Sequence, residues 1–245
     1  LNFMIWKKVW IVIATFLFIF VMPLILYLLK DFKDNSEEPD QLKLNLNIKN
    51  WTRGEVLKDI KFYFLLPAVL CPPFLITGIF INQIFLFESS GWGISYIAPS
   101  FTAYAIFTLI SLQVSGYLID RFSAIKVLPF YLLPMIVGFM ISYLFQFSLS
   151  PVLFFIFIAI TNGTANVLIT STWSEMYGTK HLGAIRSVTV ALMVFSTSLS
   201  PVLFGYLIDD GFNAKKIFLF MGLYAIFANL LFCLKIKSYK PVITA

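Results

Sequence analysis

Charge is scarce in this sequence. Asp, Glu, Lys and Arg make up only 12% of the 245 residues, against about a quarter in an ordinary soluble domain. Hydrophobic residues make up 60%, and mean hydropathy is +0.89. A soluble fold has no interior large enough to hide that much apolar surface, so the solvent is a bilayer. Histidine occurs once, at His181, in a loop with no second ligand, which argues against a metal site. The two cysteines, Cys71 and Cys233, lie inside apolar runs without metal-ligand spacing and read as packing residues. No metal or other cofactor is expected. The net charge of +6 would suggest nucleic acid in a soluble chain. In a membrane chain it reads as loop charge that sets topology, with lipid rather than nucleic acid as the partner.

Seven apolar runs are long enough to cross a hydrocarbon core of about 30 Å as helices. They are Val9–Leu29, Phe62–Phe87, Tyr96–Ile119, Val127–Phe147, Pro151–Trp173, Ser187–Ile208 and Ile217–Leu234. None contains Asp, Glu, Lys, Arg or His. Unbroken runs of this length exclude barrel strands and predict an all-α membrane protein. If Lys30–Lys61 is cytoplasmic, 14 of the 18 Lys and Arg residues fall on that side and four on the other. The positive-inside bias then places the first residues outside and the C-terminus in the cytoplasm.

Residues 30–61 form the one sizeable polar stretch and read as a linker. Within it, the alternation of Leu42–Ile48 has no second strand to pair with. Thr52-Arg-Gly-Glu55 fits a capping box that opens a short surface helix through Lys58.

One pentapeptide occurs twice. Gly116-Tyr-Leu-Ile-Asp120 returns 89 residues later as Gly205-Tyr-Leu-Ile-Asp209, at the ends of the third and sixth runs. About three crossings separate the copies, which puts them at opposite faces. That is the arrangement of a three-plus-three inverted repeat.

Gly116-Tyr-Leu-Ile-Asp120-Arg121, followed by Lys126, resembles the Gly-x-x-x-Asp-Arg loop signature of the major facilitator superfamily. Trp173-Ser-Glu175-Met-Tyr-Gly178-Thr-Lys180-His181-Leu-Gly183-Ala-Ile-Arg186 is similar to the loop between helices ten and eleven of that family. Ser200-Pro201 with Gly205 is similar to its helix eleven. The resemblance implies residues 1–29 as helix six, the last helix of an N-terminal bundle missing from a fragment, and 30–61 as the interdomain linker. It implies 62–245 as the C-terminal six-helix bundle. The function it implies is secondary active transport of a small solute by alternating access, with the missing half as partner. The wording of the Trp173–Ser187 run resembles bacterial inner-membrane carriers of monocarboxylates or oxalate, which implies an organic anion. The pattern departs in one place: the glycine that usually follows Asp-Arg is either replaced by Ser123 or absent, and Lys126 is the one basic residue that follows.

The resemblance also implies a conformational latch at Asp120, Arg121, Glu175 and Arg186, with Asp120 near the positive N-terminal end of a helix in the other half, Arg121 pairing with Glu175, and Arg186 contacting lipid phosphate or Glu175. Candidates for the solute path are the polar residues inside the spans: Asn82, Gln83, Gln113, Asn162, Asn166 and Ser196. Each of these also has a plainer reading as an interhelical hydrogen bond. No catalytic constellation is evident, because the Glu175, Lys180, His181 loop lacks a convergent partner, so an enzyme is not expected. The alternative is a seven-helix receptor or sensor without transport activity. It leaves the repeated pentapeptide without a reason.

Overall fold

The computed structural model describes residues 3–29, 50–145, 147 and 149–235. The alternating stretch Leu42–Ile48, most of the polar linker and the basic tail beyond Lys235 lie outside the described residues. The chain divides into two units, Leu1–Asn47 and Ile48–Ala245. Seven helical spans are long and apolar enough to cross a membrane, and the described residues contain no strand.

The first unit holds one span. α1 (Phe3–Phe16) passes through a π-helical segment, Leu17–Val21, into α2 (Met22–Leu29). The widened turn has a local cause. Pro23 has no N–H to continue the ladder, and the preceding Met22 N–H reaches back five residues to the Leu17 carbonyl.

The second unit opens with α3 (Arg53–Val56), and the expected capping box is present. Thr52 N–H donates to Glu55 Oε2 at 2.8 Å, and Glu55 N–H donates back to Thr52 Oγ1 at 3.4 Å. The helix stops at Val56, short of Lys58. Then come α4 (Ile60–Ile81), α5 (Gln83–Ser89), a 3₁₀ turn (Ile94–Tyr96) and α6 (Ile97–Phe122). After α7 (Ala124–Val127) and a second 3₁₀ turn (Leu128–Phe130) follow α8 (Leu133–Leu144), α9 (Ser150–Tyr177), α10 (Leu182–Asp209) and α11 (Ala214–Lys235).

Two further apolar runs are interrupted. The run Phe62–Phe87 breaks at Asn82, whose side-chain amide donates to the Gly78 carbonyl at 3.0 Å and closes α4. The run Val127–Phe147 breaks around Tyr131 and Leu132, between Pro129 and Pro134, because a proline cannot donate to the preceding turn. Both breaks find partners. Pro72 leaves the Ala68 carbonyl without its helical donor, and Tyr131 OH donates to that oxygen. Met135 N–H, orphaned in the first turn of α8, is taken by Thr161 Oγ1 of α9 at 3.0 Å.

The packing has an internal two-fold pattern. α6 lies along α9 and α4 lies along α10; α8 packs on α9 and α11 packs on α4; α8 and α11 meet each other. Exchanging α4, α6, α8 with α9, α10, α11 maps every one of these pairs onto another or onto itself. Side chains repeat the pattern. Ser111 of α6 donates to the Ala159 carbonyl of α9 at 3.3 Å, and Ser200 of α10 donates to the Phe74 carbonyl of α4 at 2.5 Å. Ser111 and Ser200 are 89 residues apart, the spacing of the repeated pentapeptide. Four residues after each accepting carbonyl stands a glycine, Gly163 or Gly78, where a Cβ would collide with that same serine. The duplication therefore extends beyond the pentapeptide into both helix crossings, where small residues let backbones approach.

The end of the bundle away from Asp120 is filled with rings. Trp92 packs against Phe87, Phe154 and Phe218 at centroid distances of 5.4, 5.9 and 5.5 Å.

Candidate functional site

A cavity of about 130 Å³ opens between α4, α9 and α10. α4 contributes Pro72 and Pro73, neither of which has an N–H for the helical ladder. α9 contributes Asn162, Asn166, Thr170 and Trp173. These recur at spacings of four, four and three, so one face of one helix presents them all. α10 contributes Arg186, Thr189 and Met193. Among the described residues, Arg186 is the one charged side chain in the wall, and no carboxylate lines the cavity.

The polar wall is held in place from behind. Asn162 Nδ2 donates to Tyr104 OH of α6 at 2.8 Å. Asn166 Nδ2 donates to the Asn162 backbone carbonyl at 3.0 Å. Trp173 is 1% exposed, and its indole Nε1–H has no hydrogen-bond partner among the described residues. Its ring lies 5.4 Å from Phe62 and 5.9 Å from Tyr177.

The Asp120 end of α6 carries a second arrangement. α6 stops at Ser123, which has φ +78° and ψ 144° and is the one positive-φ residue other than glycine among those described. A side chain in that region costs about 1–3 kcal/mol. Glu175 of α9 secures the turn. Its carboxylate accepts from Ser123 Oγ at 2.7 Å, Ala124 N–H at 2.6 Å and Ile125 N–H at 3.2 Å. Those backbone donors are the orphans at the start of α7.

The four latch candidates are thus distributed differently from the expected ion pairs. Glu175 meets backbone and hydroxyl donors, and among the described residues no ion pair joins it to Arg121 or Arg186. Arg121 donates to Tyr117 OH at 3.1 Å and lies over the Phe122 ring at 5.5 Å. Asp120 is exposed at the last turn of α6. Arg186 belongs to the cavity.

The path candidates divide too. Asn162 and Asn166 line the cavity; Asn82, Gln83, Gln113 and Ser196 do not. Asn82 caps its own helix, Gln83 has a buried Oε1 without a partner, Gln113 is exposed, and Ser196 is half-buried on α10. Sequence reading missed Tyr104, Thr170 and Trp173. Extending the four-residue spacing of the two asparagines would have found Thr170, and one further helical step of three would have reached Trp173. Tyr104 carries no local signal, because it reaches Asn162 from another helix.

Residues 50–59, read from the sequence as the end of the linker, are fastened to the end of α9. Trp51 N–H donates to the Tyr177 carbonyl at 2.9 Å, and the two rings meet edge-on at 5.5 Å. Lys180 N–H donates to Asn50 Oδ1 at 3.2 Å, and Tyr177 OH donates to Asp59 Oδ2 at 3.2 Å. Gly178, at φ +84°, leaves no room for a Cβ beside Asn50.

No curated protein matches the chain. The family model described as Major Facilitator Superfamily matches residues 2–201, from the first span to the middle of α10. With seven apolar helices, the two-fold packing and a match over most of its length, this chain is a multi-pass membrane protein that belongs to the Major Facilitator Superfamily, a family of transporters.

Proposed function

We propose that this protein carries a small organic anion across the membrane by alternating access, with the cavity between α4, α9 and α10 as part of the solute path. The observation behind this reading is the charge of the wall, to which the described residues bring one arginine, two asparagines and no carboxylate. A guanidinium with no carboxylate partner among the described residues favours a solute that brings the negative charge. Pro72, Pro73 and Met193 supply the apolar remainder. In this reading the loop from Asp120 to Ile125 works as a latch, formed in one state and released in the other, so that its contacts bias the equilibrium between the two. The positive-inside distribution supports a cytoplasmic C-terminus, and the resemblance of the Trp173–Ser187 run supports a bacterial inner membrane as the setting.

The test is uptake of labelled small carboxylates by cells that lack their own carriers. Arg186→Gln should abolish uptake while the protein still inserts, and Arg186→Lys should retain part of it. Wild-type uptake by Arg186→Gln would remove the basis of the anion reading. Asp120→Asn should slow transport without altering insertion or carboxylate binding; normal transport by that variant would remove the latch.

A further inference from the structure

The segment fastened to the end of α9 also reaches α10. α3 packs against α10. Val56 and Ile185 are both buried, and with Phe62 and Val188 they line one narrow groove. On the other side, Trp51, Asn50 and Asp59 hold Tyr177 and the loop at Lys180. Residues 50–59 therefore bridge the last turn of α9 and the first turns of α10.

Each anchor adjoins the cavity wall. Ile185 directly precedes Arg186. Tyr177 lies one turn beyond Trp173, and their rings stack at 5.9 Å. Phe62 closes the circuit, since it lines the groove with Ile185 and its ring lies 5.4 Å from Trp173. α10 itself lies along α4 rather than α9. Its hydrogen bond to α4, from Ser200, is about 21 Å along the helix from Arg186.

From this circuit we infer that residues 50–59 position the solute site: they bridge Tyr177 and Ile185, and so fix the separation of Trp173 from Arg186. Trp51 is the positioning residue on the α9 side and Val56 on the α10 side; neither lines the cavity. Without them the start of α10 tilts about its crossing with α4, and Arg186 samples several positions. A cation that must be ordered on binding loses affinity for its anion. The inference rests on the proposed solute path and adds the element that holds its charge in place.

The experiment is a distance measurement between spin labels at Lys126→Cys and Ala184→Cys in the full chain, with Cys71 and Cys233 replaced by alanine. Lys126 is exposed on α7, whose first residues bond Glu175 of α9, and Ala184 is exposed at the start of α10. The labelled parent should give one narrow distribution. Trp51→Ala should broaden it toward longer distances, and Trp51→Phe, which keeps a ring against Tyr177, should leave it narrow. A merely structural role would lower the melting temperature and leave the distribution as it was. Should Trp51→Ala fail to insert, Val56→Ala puts the same question from the α10 side. In uptake of labelled small carboxylates, Trp51→Ala should raise KM about tenfold, the low end for a hydrogen bond to a charged group, with little change in maximal rate. An unchanged distribution, or a broadened one with an unchanged KM, overturns the inference. Absence of carboxylate uptake by the parent overturns the anion reading instead and leaves the distances to decide the bridge.

Discussion

Ser111 and Ser200 make the same contact in two different helix pairs, each donating to a carbonyl four residues ahead of a glycine on the neighbouring helix. The surroundings of the two glycines differ in a way that can be measured. A Cβ at Gly163 would meet the Thr108 carbonyl, which is backbone, as well as Ser111 Oγ. A Cβ at Gly78 would meet the Phe204 ring and Ser200 Oγ, which are side chains and can turn. Gly163→Ala should therefore cost about 1–3 kcal/mol, and Gly78→Ala less. Thermal unfolding in detergent reads the order, and the reverse order would contradict the account.

Ser123 combines an unfavourable backbone with a useful hydroxyl. Ser123→Gly relieves about 1–3 kcal/mol of strain and gives up one hydrogen bond to Glu175, so stability should change little or rise. Ser123→Ala keeps the strain and loses the bond, and should be the less stable of the two. Glu175→Ala removes the acceptor of three donors and should cost more than either serine variant. The three melting temperatures, compared in one detergent, decide.

Tyr131 and Pro72 should be coupled although one lies in the turn before α8 and the other inside α4. Tyr131→Phe leaves the Ala68 carbonyl buried without a donor, at a cost of about 1–3 kcal/mol. In a Pro72→Ala background a backbone N–H is restored to that carbonyl, so the same tyrosine change should cost clearly less. A double-mutant cycle measures the difference directly; purely additive effects would mean the hydroxyl matters for another reason.

Thr52→Ala should remove the α3 cap at a cost of about 1 kcal/mol, felt locally. Hydrogen exchange should quicken over residues 50–59 and stay unchanged in α6 and α11. Faster exchange throughout the bundle would show that the fastening of this segment is global.

The spans and their number were legible because the bilayer imposes a length and an apolar composition that nothing else in the chain imitates. The pentapeptide revealed the duplication, but its extension to Ser111, Ser200, Gly163 and Gly78 was not legible, because the partners lie on different helices. The breaks near Asn82 and Tyr131 were blurred by hydropathy, which does not register where a hydrogen-bond ladder is interrupted. At the site, Asn162 and Asn166 could be picked out as amides inside an apolar run. Arg186 was identified but given a different partner, since loop proximity to Glu175 suggested an ion pair. The carboxylate instead satisfies three nearby donors, two of them backbone N–H groups that helix formation leaves open.

α9 joins features that would otherwise seem separate. Its final turns hold the incoming segment through Tyr177 and the α6–α7 turn through Glu175, and an earlier stretch of the same rod supplies the amide face. A small rotation of this one helix would thus be felt simultaneously at the tether, at the strained corner and at the cavity wall. A load at Asn50 would turn the amide face by a lever rather than through a relay of intermediate residues.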